Sequence, residues 1–297
     1  MRFSGLSAFP LTPMNESGIQ EQVFTQLIDR LTKARVDSIG VLGSTGSYPY
    51  LTRHERAQVT QLALRHACGI PVMVGIGALR TRDVLDLAED AQKAGANAVM
   101  LAPVSYQTLT DQEVYGLYET VSTSLSIPLC VYDNPATTHF SFSDELFSQI
   151  AQLPQVKSIK MSPLTGDHTS AKNRVDNLRK LLPAHVSIGV SGDWGGLTGL
   201  KAGCDIWYSA IGGLFPETIL GITRDVQMGE YDLAEQFAND LIPIWELFRR
   251  HGSIRVIATA AEILGVTDHF PLPHPLRPLG EEDRFLLKAI LQELELS

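Results

Sequence analysis

Short apolar runs rich in β-branched residues alternate with longer helical patterns along most of the chain, and no other feature restricts the fold as strongly. The runs are S-I-G-V-L (38–42), P-V-M-V-G (71–75), A-V-M-L-A (98–102), I-P-L-C-V-Y (127–132), V-K-S-I-K (156–160), V-S-I-G-V (186–190) and D-I-W-Y-S (205–209). Each is followed by a candidate helix, and a further strand near Gly5 to Phe9 brings the expected number to eight. Such alternation implies right-handed crossovers and a parallel sheet covered by helices. Two junction types recur. K-A-R-V-D-S-I, K-A-G-A-N-A-V and K-A-G-C-D-I-W lead into some strands, while G-I-P-V and S-I-P-L lead into others. This weak internal repeat predicts a closed eight-fold β/α (TIM) barrel, with a doubly wound open sheet as the competing arrangement.

Helix signals agree with that reading. Thr52 with Glu55 three residues later forms a capping box ahead of an apolar face, and Ser143 opens a second helix whose first turn is acidic. Beyond about residue 225 the strand pattern stops, and 233–248, 255–264 and 283–294 read as helices around the proline-rich F-P-L-P-H-P-L-R-P. The expected organisation is a barrel domain over 1–225 and a C-terminal helical extension over 226–297.

Composition narrows the function. Apolar residues make up 44% and charged residues 19% of the chain, which suits a packed globular protein. The net charge of −9 comes without a Lys/Arg cluster, so the electrostatic footprint of a nucleic-acid binder is missing. No stretch reaches the roughly 18 uninterrupted apolar residues of a membrane span. The expected location is the cytoplasm. Cys68, Cys130 and Cys204 are odd in number, widely spaced and set among apolar residues, which predicts buried thiols and neither a disulfide framework nor a zinc site. The histidines show no ligand spacing, and no metal is assigned.

In a β/α barrel the chemistry collects at the C-terminal strand ends. Here those ends carry G-S-T-G-S (43–47), A-P-V-S-Y (102–106), Y-D-N-P-A-T-T (132–138), Lys160, S-G-D-W (191–194) and S-A-I-G-G (209–213). Strand alternation places Val156, Ser158 and Lys160 on one face, with Ile159 and Met161 turned to the helices. An inward lysine in an apolar mouth loses hydration of its ammonium, so its pKa falls from near 10.4 and a nucleophilic amine is freed, as a Schiff-base enzyme requires. The plainer reading is that Lys160 pairs with Asp193 or Asp133, or snorkels to solvent. Tyr132, one β/α unit earlier, can reach the same mouth and move protons. The glycine-flanked Ser44 and Thr45 can cradle a carboxylate, unless the segment is only a connecting turn.

Taken together, G-S-T-G at 43–46, Y-D-N-P at 132–135, Lys160 and S-G-D at 191–193 resemble the dihydrodipicolinate synthase/N-acetylneuraminate lyase family in order and spacing, over nearly the whole chain. The resemblance implies a class I lyase in which Lys160 forms a Schiff base with pyruvate or another 2-oxo acid, with no metal or organic cofactor. It gives Tyr132 the proton transfer and lets Ser44 and Thr45 hold the substrate carboxylate and support the relay. It places Gly192 beside the substrate and implies a homotetramer built as a dimer of dimers. The small-molecule 2-oxo acid is the expected partner, with neither nucleic acid nor membrane.

Several positions depart from the family pattern. The synthases' arginine after the Y-N-x-P motif is Thr137, so a cation for a second carboxylate is missing there. Ser105 takes the place of a relay tyrosine, with Tyr106 one residue later. Ser47 and Met161 replace acidic residues, and a bulky Trp207 stands in the last strand. Thr137, Tyr106 and Trp207 are accordingly candidates for a remodelled second-substrate pocket. The leading expectation is an aldolase or dehydratase acting on pyruvate or another 2-oxo acid derived from a sugar acid, because Thr137, Thr138 and His139 can hydrogen-bond the hydroxyls of a sugar-derived chain, unless they only pack the loop. The alternatives are an authentic 4-hydroxy-tetrahydrodipicolinate synthase and, from a different class, a non-catalytic homologue that binds a small acid.

Overall fold

A computed structural model describes residues 3–164 and 166–296 of the chain. Eight parallel strands close into a barrel: β1 Gly5–Ala8, β2 Ser38–Val41, β3 Val72–Gly75, β4 Ala98–Leu101, β5 Leu129–Tyr132, β6 Val156–Met161, β7 Ser187–Ser191 and β8 Ile206–Ser209. Each strand pairs with the next, and β1 pairs with both β2 and β8, which excludes the open sheet. The helices between them are α1 Glu21–Ala34, α2 Arg53–His66, α3 Thr81–Ala94, α4 Asp111–Ser124, α5 Asp144–Ala151, α6 His168–Leu181, α7 Gly196–Lys201 and α8 Pro216–Met228. A small antiparallel ladder, Met14–Asn15 with Gly18–Ile19, was not apparent from the sequence pattern.

Local chemistry explains the element ends. The capping box at Thr52 and Glu55 forms on α2, and Ser143 accepts from the Leu146 N–H at the start of α5. At the end of α3, Gly95 turns left-handed, whereas Arg35 adopts the same conformation after α1 without being glycine. Cys68 corrects an expectation. It lies in the left-handed turn that follows α2 and is exposed, while Cys130 and Cys204 are buried as expected.

Four further helices follow the barrel: α9 Tyr231–Asp240, α10 Ile242–His251, α11 Ser253–Ile263 and α12 Glu281–Glu293. The expected single helix over 233–248 is two, because Pro243 has no N–H to continue the first and sits well in the first turn of the second. Helix α8 packs on β1 and spans the 225/226 boundary, so the eighth β/α unit runs to Met228.

Strand β6 carries an irregularity that decides which residues face inward. Leu129 is in register with Val156, but the next pair is Cys130 with Ser158, leaving Lys157 as the extra residue. Val156 therefore joins Ile159 and Met161 in the large cluster under the helices and does not share a face with Lys160. Above the bulge, alternation holds. Ser158 reaches the Tyr208 hydroxyl inside the barrel at 2.7 Å, and Lys160 points the same way. Inside, Phe9, Met73, Met100, Cys130, Tyr132, Ile206 and Tyr208 pack into a second apolar cluster that fills the barrel below the mouth. Tyr132 and Lys160 are register partners, so their side chains are neighbours by construction of the sheet.

Candidate active site

The C-terminal strand ends open into a cavity of about 680 Å³. Ser44 and Thr45 line it after β2, Tyr132 and Thr137 at and after β5, Lys160 from β6, and Gly192 after β7. Helices α10 and α11 complete the wall with Phe248 and the 252–255 segment. Six of the eight residues singled out by the sequence thus meet in one space.

Lys160 is only 5% exposed. Its Nζ lies 3.8 Å from the centre of the Phe9 ring, 4.1 Å from that of Tyr132 and 5.5 Å from that of Tyr208. Among the described residues no carboxylate lies within ion-pair distance of it. Burial pushes its pKa down to about 8, against the opposing pull of Cys130 and Asp193. The ring faces also favour the ammonium, by about 1 kcal/mol at such sites, yet desolvation prevails. At pH 7 an amine with a pKa near 8 is about one-tenth neutral, against roughly one part in 3,000 for an ordinary lysine. Both carboxylates considered as partners are committed elsewhere. Asp133 accepts from the Ser162 hydroxyl at 2.7 Å, and Asp193 is held by the β8 end.

The Tyr132 hydroxyl lies 3.4 Å from Ser44 Oγ and accepts a hydrogen bond from Asn134 Nδ2 at 3.0 Å. Asn134 Nδ2 also lies 3.4 Å from Ser44 Oγ, closing a triangle of three polar side chains that share the cavity with the lysine. Burial raises the Tyr132 pKa, so the phenol stays protonated and is fit to pass a proton along a hydroxyl chain. Thr45 is buried and lines the same cavity. Gly192 has φ of +74°, and a Cβ there would meet Pro163 Cγ at 2.2 Å, so the backbone passes the cavity without a side chain. Thr137 donates to the Asn134 carbonyl at 3.3 Å.

Two expected site residues lie elsewhere. Trp207 is in the helix-facing layer because β8 alternates: Ile206 and Tyr208 point into the barrel and Trp207 points out, against Gly196 of α7. Its indole N–H donates to Asp193 at 3.0 Å. Tyr106 sits at the apex of a turn pinned by Ser105, whose hydroxyl accepts from the Gln107 N–H at 3.1 Å, and it is 91% exposed, outside the cavity.

Asp193 has a role that the sequence did not indicate. Its carboxylate accepts from Trp207 Nε1, from Ser209 Oγ at 2.6 Å and from the N–H groups of Ala210 and Ile211 at 3.1 Å each. It therefore fixes the loop after β8 to the loop after β7 beside the cavity. Asn134 was visible within Y-D-N-P but carried no assigned function, and nothing in the local pattern marked Phe9 as the ring beneath the lysine.

A desolvated lysine on the sixth strand of a β/α barrel, with a phenol and hydroxyls beside it, defines the class I lyases, which work through a lysine Schiff base. The chain matches the family model of the Dihydrodipicolinate synthetase family over residues 2–294. It belongs to that family. A dihydrodipicolinate synthase from Agrobacterium tumefaciens str. C58 superposes with a TM-score of 0.95 at 44% identity, covering 99% of this chain and 98% of the other. A putative dihydrodipicolinate synthetase from Pseudomonas aeruginosa gives 0.90 at 28% identity, covering 98% and 99%. The 4-hydroxy-tetrahydrodipicolinate synthase of Bacillus velezensis is 26% identical over 99% of this chain and 100% of its own length. No helix among the described residues is long and apolar enough to cross a membrane.

Replacing Asp193 by Ala leaves four donors without their acceptor, three of them in the protein interior. Asp193→Ala is expected to lower stability by about 3 kcal/mol, read as a reduced urea midpoint. A midpoint equal to that of the unaltered protein would show that the brace is dispensable.

Proposed function

We propose that the protein is a Schiff-base aldolase or dehydratase acting on pyruvate or another 2-oxo acid, with Lys160 as the nucleophile. The observation that carries this reading is the buried amine, with no carboxylate in ion-pair distance among the described residues, in one cavity with a triangle of polar side chains. The neutral Nζ attacks the 2-oxo carbon, and the carbonyl oxygen becomes the carbinolamine hydroxyl. Tyr132, in contact with Ser44, returns a proton so that this hydroxyl leaves as water and the imine forms. The iminium then accepts the electron pair of a breaking bond at the neighbouring carbon, or as the enamine supplies it to an aldehyde. Ser44 and Thr45 hold the substrate carboxylate at the end of β2, and the bare backbone at Gly192 lets the substrate lie close.

Thr137 and Thr138 at the mouth support a hydroxylated, sugar-acid-derived chain. The protein acts as a cytoplasmic homotetramer in this reading. Its support is Tyr106, which stands clear of its own cavity on the surface and is thus available to a second copy. The synthase reading is favoured by the names of the similar proteins, whereas Thr137 argues against it, because a neutral hydroxyl cannot replace a cation toward a second carboxylate at that position. Condensation of pyruvate with aspartate semialdehyde at a synthase-like rate would decide for it; the expected result is turnover at least about 100-fold slower.

Incubation with pyruvate followed by borohydride is expected to leave a reduced adduct on Lys160 by mass spectrometry, absent in Lys160→Ala. Because the neutral amine reacts and its folded pKa is lowered to about 8, trapping at low pyruvate should rise about tenfold per pH unit below 8 and level off above it. Absence of an adduct would favour the small-acid-binding reading. A rise that continues to pH 10 would show an ordinary, solvated lysine.

A further inference from the structure

Besides Lys160 and Asp193, the cavity wall holds one other charged side chain among the described residues, Arg255, supplied by α11. Its Nη1 donates to the His251 carbonyl at 3.2 Å. Among the described residues no carboxylate lies within ion-pair distance of it. An arginine carries five donors in a fixed fork, so most of its capacity is unspent. Asp193 cannot neutralise it, since that carboxylate already accepts from Trp207, Ser209, Ala210 and Ile211. The helix start reinforces the same sign. Gly252 has no side chain to cap α11, and Ser253 and Ile254 of its first turn also line the cavity. Pyruvate has six heavy atoms and fills a small part of about 680 Å³.

Building on the Schiff-base reading, we propose that the cavity takes a linear 2-oxo acid with a second carboxylate at its far end, and that Arg255 receives this carboxylate as a specificity-determining residue. The helical layer then provides the cation that the barrel lacks at Thr137. The ligand is held at three places: its first carboxylate by Ser44 and Thr45, its ketone carbon by Lys160, and its distal carboxylate by the Arg255 fork. A cation delivered from the helices reaches the ligand from a different wall than one delivered from the loop after β5, so the dicarboxylate bound here has a different length or course from the one a cation at position 137 would select.

The test uses the full chain and borohydride trapping on Lys160 with linear 2-oxo acids of five, six and seven carbons. Each is compared with the acid of equal length that ends in a methyl group. For at least one length the terminal carboxylate should lower the half-saturating concentration by about tenfold or more. Arg255→Gln, which can still donate to the His251 carbonyl, should abolish this preference while still trapping pyruvate, and Arg255→Lys should restore part of it. Equal half-saturation within every pair in the unaltered protein would overturn the inference without recourse to any variant, as would a preference that survives in Arg255→Gln. Pyruvate adducts alongside equal half-saturation would remove only this inference, whereas absence of every adduct in the unaltered protein would remove the Schiff-base reading and this inference together.

Discussion

Withdrawing one ammonium group from water is the constraint on which the rest of the site depends. Lys160 Nζ lies against the faces of Phe9 and Tyr132, with Tyr208 further away; among the described residues no carboxylate lies within ion-pair distance of it, and the pull of Asp193 only partly offsets its burial. Burial of an unpaired charge costs several kcal/mol unless the group gives up its proton. At Lys160 the protein accepts that penalty, and the result is an amine whose pKa sits near 8. Any carboxylate brought close enough to relieve it would restore the ammonium. Asp133 is instead engaged with Ser162, and Asp193 with Trp207, Ser209 and two backbone N–H groups.

The fold makes this arrangement affordable. Parallel closure places Tyr132 and Lys160 in register on adjacent strands, and the interior cluster from Met73 to Tyr208 excludes water from below. The bulge at Lys157 keeps Val156 under the helices while Ser158 and Lys160 face inward. Above, α10 and α11 complete the cavity wall, so the helical extension shapes the same space as the strand ends. The barrel thus supplies Lys160 and Tyr132, and the extension supplies part of the wall around the same space.

Much of this could be read from the chain because barrel strands announce themselves by composition and spacing. The strands entered through proline begin one or two residues later than the apolar runs suggest, at Val72 and Leu129, since a prolyl nitrogen cannot donate to the ladder. The groups on β2, β5, β6 and β7 were legible because a strand end has a fixed place in a barrel. Trp207 was misplaced although the same alternation rule applied to it: with Tyr208 turned inward, its neighbour has to face α7. Tyr106 was misplaced because turn geometry at Ser105 carries no periodic signal. The places of Phe9, Asn134 and Arg255 in the cavity wall depend on how segments far apart in sequence come together, and no local pattern encodes that.

The central claim is that the Lys160 amine is desolvated and largely unpaired, and its own titration tests this most directly. Lysines reductively methylated with ¹³C methyl groups can be followed by NMR across pH, with Lys160→Ala identifying the resonance. The account predicts a midpoint near 8 for Lys160. A midpoint near 10.4, the ordinary value for a hydrated lysine, would contradict it.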